Sequence, residues 1–440
     1  MDVALEVLQH KARRAIATVS FIDEYCALYQ DLFPEVRSFE CFKFVHLGMI
    51  SEIKRKTLPA IARAVGLQNA QPLHHFLSDS PWSVSSVRQR RLQILLKALK
   101  GKPFILCIDE TGDKKKGKTT DYVERQYIGN LGKIENGIVS VNAYGILEGI
   151  TFPLIFKIFK PSKRLKPDDK YKTKPELAKE IIEELRELGF QFEIVLADSL
   201  YGESSNFIDV LYKYNIQFVV AIRSNHSVLM ASGWKVRYNR WKKFDRIFSN
   251  GTTELRYIRE IIFGKRKSVR YWQITTDPVE LPENTTWFIM SELPGDIQKS
   301  VGNTYGLRTW IEYGFKQIKD ELGWSDYRVT DYHQIEKWWE IAFSAYLMVS
   351  LQSEIFKKLC TIEENTPLST FVDSFRLHRW WQNETGWKNV LNNLRLIIQP
   401  KIFLCLLTPW LEVFPIPKLS IGFLHLINIM NEFKPYLPDG

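Results

Sequence analysis

Two aspartates follow apolar segments that are typical of buried strands. Asp109 comes directly after residues 104–108, and Asp198 comes directly after residues 192–197. If these strands are neighbours in one sheet, both carboxylates converge in the cleft where α/β proteins bind ligands at strand ends. Either aspartate alone has a plainer explanation, because turns that follow strands favour Asp. The pair becomes informative if a third acidic residue can join it.

Glu312 is that third acidic residue, and it lies in a segment with helical spacing. Tyr305, Arg308, Glu312 and Lys319 follow one another at intervals of three, four and seven residues. This spacing predicts that they share one face of a helix. A separate apolar stripe is formed by Ile311, Phe315, Ile318 and Leu322. The alternative is a solvated face on which Glu312 and Lys316 form an ion pair worth about 0.3 to 0.5 kcal/mol.

The elements that must position these residues begin at residue 101. Strands are predicted at 104–108, 138–147 and 150–159, and the last two are joined by a hairpin turn at Glu148-Gly149. The elements that follow are a helix at 176–188, a strand at 192–197, a helix to about 214 and a strand at 217–222. Three strands in a meander, followed by α/β alternation, are what an RNase H-like fold requires.

The predicted fold class is α/β, with an RNase H-like catalytic core that a β-rich insertion interrupts and with helical N-terminal and C-terminal regions. The predicted domains, in chain order, are a helical N-terminal DNA-binding region at 1–100, the first part of the core at 101–225, the β-rich insertion at 226–304, the second part of the core at 305–360 and a helical C-terminal region at 361–440. Strand-like segments of the insertion are 252–263, 267–276 and 286–291. A long helix is predicted from 331 to 359.

Part of the N-terminal region has the pattern of a helix-turn-helix. Residues 54–67 place small and apolar residues before Gly66, and residues 74–77 would open the second helix. A helical hairpin that binds no DNA fits the pattern equally well. The nearby arginines are either DNA contacts or a solvated helix face: Arg88, Arg90 and Arg91.

Positive charge is concentrated in two regions of the chain. The 60 Lys and Arg against 50 Asp and Glu give a net charge of +10. Residues 1–100 hold 14 basic and 9 acidic residues, and residues 226–304 hold 13 and 8. Basic regions around a neutral centre favour an enzyme of nucleic acids, although solvated surface lysines are the alternative. Residues 157–174, with eight Lys or Arg, are a DNA-backbone contact or a mobile solvated loop.

Composition argues against a membrane protein and a disulfide scaffold. The longest uncharged runs, 341–353 and 402–411, are shorter than the ~20 apolar residues that span a bilayer. The N-terminal residues lack the order of a signal peptide, so we expect a soluble cytoplasmic protein. The five cysteines are isolated from one another, which predicts reduced core residues rather than disulfides or a zinc site.

The sequence resembles a known family of enzymes. The spacing Y-x2-R-x3-E-x6-K of Tyr305, Arg308, Glu312 and Lys319 is similar to the signature of a large branch of insertion-sequence DDE transposases. Other segments that resemble the family are 108–112 with the Lys-rich loop after it, 125–127, 132–134 and 197–202. The resemblance extends over roughly residues 50–350.

The resemblance implies roles for the three acidic residues. Asp109, Asp198 and Glu312 would be a DDE triad that holds two Mg²⁺ ions about 3.5 to 4 Å apart, with Mn²⁺ as a substitute. One ion would activate a water molecule and later a DNA 3′-hydroxyl, while the other would stabilise the leaving oxygen. The same site could therefore cut a DNA strand and join it to another.

The resemblance also implies DNA contacts. Tyr305, Arg308 and Lys319 would bind phosphates beside the cut, Arg308 through its fork of donors. In relatives with a β insertion at this place, a Trp that opens its last strand stacks on a flipped base, and Trp287 has the corresponding position. Such stacking is worth ~1 to 3 kcal/mol per base. A buried structural role for Trp287 is the alternative, and two other tryptophans compete with it: Trp272 and Trp310.

These implications define a DNA transposase, an endonuclease and strand transferase of DNA recombination. It would cleave DNA at the ends of an insertion sequence and transfer the strands into target DNA. Its partners would be the terminal inverted repeats of its element and the target DNA, bound by a homodimer on paired ends in the bacterial cytoplasm, with no membrane. The alternatives are a catalytically inactive transposase-derived DNA-binding protein and an RNase H-fold nuclease that cuts without joining. The intact triad argues against the first, and a joining assay separates the second.

Overall fold

The computed structural model describes residues 13–248, 251–264, 268–360, 375, 377–384 and 386–438. The chain divides into two compact units. Leu99–Lys316 forms one, and Met1–Ala98 with Gln317–Gly440 forms the other. We call them the sheet unit and the helical unit.

The elements are numbered in chain order. The helices are α1 (Ser20–Ala27), α2 (Val36–Ile50), α3 (Leu58–Ala64), α4 (Gln71–Ser78), α5 (Val84–Leu99), α6 (Lys174–Glu187), α7 (Ser199–Gly202), α8 (Ser205–Lys213), α9 (Val301–Gly306), α10 (Thr309–Leu322), α11 (Tyr332–Leu351), α12 (Ser353–Cys360), α13 (Trp387–Val413) and α14 (Pro417–Met430). The strands are β1 (Phe104–Lys114), β2 (Glu124–Ile128), β3 (Lys133–Leu147), β4 (Ile150–Ile158), β5 (Phe192–Ala197), β6 (Gln217–Ile222), β7 (Val236–Tyr238), β8 (Lys242–Ile247), β9 (Thr253–Phe263), β10 (Arg270–Thr275) and β11 (Trp287–Ser291).

The first strands of the sheet unit have the order of an RNase H-like core. β3 pairs antiparallel with β1 and with β4, β5 is parallel to β1, and β6 is parallel to β5. The resulting order β4-β3-β1-β5-β6 confirms the predicted fold class. The hairpin turn between β3 and β4 is also as predicted. Glu148 and Gly149 both have positive φ, 50° and 80°, as a two-residue type I′ turn requires.

The β-rich segment after β6 extends the same sheet. β11 pairs antiparallel with β6, β10 pairs with β11 and β9 pairs with β10. β7 and β8 both pair with β9. The segment therefore adds its strands to the edge strand of the core. The sequence pattern did not predict β2, β7 or β8, because these strands are short and largely polar or exposed.

Two predicted long helices are each interrupted. The helical pattern from residue 305 divides into α9 and α10, with Leu307 and Arg308 in the turn between them. The helix predicted over 331–359 divides into α11 and α12 at Gln352. The Gln352 side chain exchanges two hydrogen bonds with the backbone of Tyr436, so a tertiary contact accompanies the break. The prediction of one continuous helix was wrong in both places.

The arginines of α5 form ion pairs within the helical unit. Arg91 Nε donates a 2.5 Å hydrogen bond to Glu340 Oε1, and both side chains are fully buried. Arg88 Nε donates to Glu340 Oε2 at 3.1 Å, and Arg90 pairs with Asp31 at 2.7 Å. These arginines are therefore structural ion-pair partners rather than a free helix face. Helices α3 and α4 flank Gly66, whose φ is +80°, as a helix-turn-helix needs, and DNA binding by this pair stays a prediction.

Helix α13 is long and apolar enough to cross a membrane by length and composition, and 22% of its most apolar window is buried. Pro400 and Pro409 lie inside it. No other helix in the described ranges meets the same criterion. Of the cysteines, Cys26, Cys41 and Cys107 are buried as predicted, and Cys405 is half-buried.

Candidate active site

Strand pairing brings Asp109 and Asp198 together. In the parallel pair β1 and β5, Ile108 lies opposite Ala197, so the two aspartates follow at the same level of the sheet. Asp198 begins α7 as its N-cap, and its Oδ1 accepts a hydrogen bond from the Leu200 backbone N–H at 2.9 Å. The sequence prediction that Asp109 lies past the end of its strand was wrong. β1 continues to Lys114 because its other neighbour, β3, goes on pairing with it.

Arg308 connects Glu312 to this pair of aspartates. Its Nη1 donates to Asp109 Oδ2 at 2.6 Å, and its Nη2 donates to Glu312 Oε1 at 3.1 Å. The turn between α9 and α10 places Arg308 one helical turn before Glu312, so the guanidinium reaches both carboxylates. The Asp109 side chain is 11% exposed and the Glu312 side chain is 55% exposed. One cation thus bridges a buried and an exposed carboxylate.

Burial and charge together raise the pKa of Asp109 to about 7. Loss of water is the largest cause, Arg308 opposes it, and the nearby charge of Asp198 adds to the increase. Burial alone would lower the pKa of Arg308, but Asp109, Tyr305 and Glu312 raise it above its ordinary value. The guanidinium therefore stays charged.

An aromatic and cationic cluster adjoins Arg308. Tyr305 is buried, which raises its pKa, and its ring centroid lies 6.1 Å from that of Trp287 at 64°. Guanidinium carbons of Arg246 and Arg256 lie 4.8 and 4.1 Å from the centroid of the Trp287 ring. Sequence reasoning missed these two arginines, and the only signal for them was the basic excess of residues 226–304.

The remaining candidates lie at other places. Lys319 is two turns beyond Glu312 on α10, in the part of the helix that belongs to the helical unit. Trp272, a competitor of Trp287, is 1% exposed and belongs to the core of the sheet unit. Trp310 is half-buried and lies near Gly149.

Part of the basic segment 157–174 is already neutralised within the sheet unit. Lys160 pairs with Asp169 at 2.5 Å, and Lys166 pairs with Asp121 at 2.7 Å. Lys172 pairs with Glu180 at 2.5 Å. Contact between this segment and a DNA backbone stays a prediction, and it depends on exchanging such pairs for phosphates.

Comparison with known proteins decides the family. Two protein-family models match the chain, "DDE superfamily endonuclease" over residues 29–240 and "Transposase DDE domain" over residues 167–348. The probable transposase for insertion sequence element IS701 of Microchaete diplosiphon is 59% identical over 325 residues, which are 74% of this chain and 86% of that protein. The chain belongs to the insertion-sequence DDE transposases. The predicted family is thereby confirmed, and the protein is a DNA transposase that depends on divalent metal ions.

Two solved structures are similar to the transposase at low sequence identity. The piggyBac transposase synaptic complex with hairpin DNA has a TM-score of 0.41 at 10% identity, covering 96% of this chain and 83% of that chain. The Drosophila P element transposase strand transfer complex has a TM-score of 0.17 at 11% identity, covering 98% and 95%.

The carboxylates around Arg308 have donor atoms that suit a divalent metal ion. Carboxylate oxygens are the hard ligands that Mg²⁺ and Mn²⁺ prefer. The charge of Asp198 acts on Asp109 and makes a nearby cation favourable. The cation found there is Arg308, which lies between Asp109 and Glu312 and donates a hydrogen bond to each. In the part of the chain that the structure describes, no three His, Cys, Asp or Glu side chains are close enough to hold one metal ion.

Proposed function

We propose that Asp109, Asp198 and Glu312 form the site at which the transposase cleaves DNA at the ends of its insertion sequence and joins them to target DNA. The observation that supports this is the bridging position of Arg308, hydrogen-bonded to Asp109 and Glu312 beside Asp198. Residues from three distant parts of the sequence thus meet around one positive charge. A carboxylate cluster that already binds a cation is the arrangement a metal-dependent phosphate chemistry needs.

The metal ions that fit this proposal are two Mg²⁺, with Mn²⁺ as a substitute, held by the three carboxylates. When bound, such ions activate the attacking oxygen and neutralise charge on the scissile phosphate. Asp109 must give up its hydrogen bond with Arg308 before that oxygen can act as a ligand. A bound metal ion would favour the charged form of Asp109, as Arg308 does now, against the burial that raises its pKa.

The cationic and aromatic residues beside the triad would hold the DNA. Arg308, once released from Asp109, presents a planar fork of donors that matches phosphate oxygens. Tyr305 and Lys319 would each bind a DNA phosphate, the first by its hydroxyl group and the second as a point charge. Trp287 would stack on a base at the element end, in exchange for its present contacts with Arg246 and Arg256.

The DNA partners in this proposal are the terminal inverted repeats of the element and the target DNA. Two ends must be processed together, so the acting form would be a homodimer on paired ends. The helical N-terminal region at 1–100 and the β-rich insertion at 226–304 would bind DNA around the core, consistent with their excess of basic residues. The setting would be the bacterial cytoplasm.

A joining assay tests the proposal against a nuclease that only cuts. A duplex that mimics an already cleaved element end, with a labelled free 3′-hydroxyl strand, is incubated with the protein, a supercoiled plasmid and either Mg²⁺ or EDTA. We expect label to become covalently attached to the plasmid only with Mg²⁺, and to be lost in Glu312→Gln. The matched control is Lys316→Gln, one turn further on the same helix, which should join normally. Nicked plasmid without attached label would show a nuclease instead.

A further inference from the structure

A second ion pair lies next to Asp109 in the sheet unit. Lys174 Nζ donates to Glu110 Oε1 at 2.8 Å, and the two residues are 64 positions apart in the sequence. Their side chains are 17% and 13% exposed, so the pair is largely buried but still reaches solvent. Lys174 ends the basic segment 157–174 and begins α6, which contacts α7, the helix that Asp198 caps. The proposed triad leaves this neighbouring pair without a role.

Strand geometry places the pair on the opposite side of β1 from Arg308. Asp109 and Glu110 are consecutive residues of β1, so their side chains point to opposite faces of the sheet. Arg308 donates to Asp109 on one face, and Lys174 donates to Glu110 on the other. Two cations therefore approach the same stretch of strand from two sides.

The charge of Asp198 acts on both carboxylates of β1. Burial raises the pKa of Glu110, Lys174 opposes this effect, and the charge of Asp198 adds to the increase. Asp198 also adds to the increase in the pKa of Asp109 that burial causes. The fully buried Tyr201 of α7 has its pKa raised by burial and then by the charges of all three carboxylates. Glu110 therefore belongs to the same carboxylate cluster as the two aspartates, although it lies outside the triad.

The charge balance of this cluster leaves a task for Lys174. In the proposed function, metal ions neutralise the triad, whereas Glu110 has no metal ion to neutralise it. An uncompensated carboxylate beside the scissile phosphate would repel the DNA strand. An ammonium group has three N–H donors, so Lys174 can keep its hydrogen bond to Glu110 and donate another to a phosphate oxygen. Arg308, by contrast, must release Asp109 to present the same donor to DNA.

We propose that Lys174, held by Glu110, binds a phosphate of the DNA strand at the active site, from the face of β1 opposite to Arg308. Glu110 is a positioning residue, because it acts on the DNA only through Lys174. The inference rests on the proposed function, since the phosphate belongs to the strand that the triad cleaves or joins. It adds a second cation to the site and a role for a carboxylate outside the triad.

Equilibrium DNA binding, measured by fluorescence anisotropy, tests this contact without a chemical step. The probe is a labelled duplex that mimics an already cleaved element end, at a fixed Mg²⁺ concentration and without target DNA. Lys174→Gln should bind about 10-fold or more weakly than wild type, because a charge-assisted hydrogen bond is lost. Its slope of log affinity against log salt should be shallower by about 0.9, the value for one phosphate contact on a duplex. Lys174→Arg keeps the cation and should keep the wild-type slope.

Two further variants separate a DNA contact from a structural ion pair. Lys213→Gln is the matched control, because Lys213 pairs with Glu183 at 3.0 Å, more than two turns beyond Lys174 on α6. This control should keep the wild-type affinity and slope. Glu110→Gln breaks the same ion pair as Lys174→Gln but leaves the lysine in place, so it should keep the wild-type slope. Circular dichroism should show unchanged secondary structure in every variant.

Neutral methylphosphonates locate the contact on the DNA. When they replace the phosphates near the element end one at a time, one position should weaken binding by wild type and leave the affinity of Lys174→Gln unchanged. Such a loss of additivity identifies two groups that contact each other.

Three outcomes would overturn the contact. The first is a wild-type salt slope in Lys174→Gln, and the second is wild-type binding that does not depend on salt. The third is a slope in Glu110→Gln that falls as far as that of Lys174→Gln, because the pair would then act only through the fold. Failure of the proposed active site is distinguishable: the variants would bind DNA as expected here, but wild type would attach no label to the plasmid in the joining assay.

Discussion

Arg308 Nη1 lies 2.6 Å from Asp109 Oδ2, and the two residues are 199 positions apart in the sequence. The carboxylate is buried beside Asp198, and the guanidinium is its compensating charge. The second donor of Arg308 is occupied by Glu312. Arg308 therefore lies where the proposed chemistry needs a metal ion. If Asp109 is a metal ligand as proposed, Arg308 and the metal ion compete for it.

That competition predicts tighter metal binding when Arg308 is removed. In Arg308→Gln the charge-assisted hydrogen bond to Asp109, worth about 1.5 to 3 kcal/mol, no longer opposes a cation. Mn²⁺ affinity of the DNA-free protein should rise about 10-fold or more, as measured by isothermal titration calorimetry. The control is Arg237→Gln, an exposed arginine of the sheet unit, which should leave the affinity unchanged.

The same Arg308→Gln variant should cleave element ends more slowly, because the proposed phosphate contact is lost while metal binding improves. A variant whose site is merely misfolded should lose both metal affinity and cleavage. A rise in Mn²⁺ affinity together with slower cleavage therefore indicates the two proposed roles of Arg308. Unchanged Mn²⁺ affinity together with unchanged cleavage at low DNA concentration would show that Arg308 has neither role.

Trp287→Ala should weaken binding to an element end by about 1 to 3 kcal/mol if its ring stacks on a base. Fluorescence anisotropy measures the affinity, and a 2-aminopurine near the terminus reports whether a base leaves the stack. Tyr238→Ala is a close control, because Tyr238 also lies in the β-rich segment under an arginine, Arg259, at 4.4 Å. An equal loss of DNA affinity in Trp287→Ala and Tyr238→Ala would mean that the Trp287 ring does not stack on a base.

The helical unit should lose stability as pH falls below about 6.5, through His46. His46 is fully buried, its Nδ1 donates to the Phe42 carbonyl oxygen at 2.8 Å, and its Nε2 accepts from the Ser344 hydroxyl at 2.9 Å. Burial lowers its pKa from 6.5 to about 4. The unfolded chain therefore binds the proton more tightly than the folded chain does. This contribution is complete above pH 6.5 and is lost as pH falls toward 4.

Urea unfolding between about pH 7 and pH 5 measures this loss, which should be on the order of 2 kcal/mol by pH 5. His46→Gln should be less stable at pH 7 and should show a clearly smaller decrease on acidification. Exposed His75 supplies the control, since His75→Gln should keep the wild-type pH dependence. A wild-type slope in His46→Gln would assign the acid sensitivity to other groups.

Local sequence patterns predicted the RNase H-like order well, because alternating apolar runs and the Glu148-Gly149 turn are short-range signals. They did not predict that β1 runs on past Asp109, since that extension depends on pairing with β3. Nor could they predict the ion pair between Arg91 and Glu340, 249 residues apart. Charged residues in a helix resemble a solvated face until the tertiary partner is known.

The residues proposed for the site could be singled out from the sequence, but their geometry could not. Spacing and family resemblance singled out Asp109, Asp198 and Glu312, while the role of Arg308 as a bridge required the turn between α9 and α10. The contacts of Arg246 and Arg256 with Trp287 could not be predicted either. They depend on how the strands pair, and no local sequence motif indicates them.

The most direct test of the triad uses Asp198→Asn on a labelled duplex that carries DNA from one edge of the element. Asn keeps the N-cap of α7 and removes the charge, so folding and DNA affinity should be retained. Asp209→Asn, at an exposed position on α8, is the control. With Mg²⁺, wild type and the control should nick the boundary, and Asp198→Asn should be slower on the order of 100-fold or more. Nicking by Asp198→Asn at the wild-type rate would contradict the account.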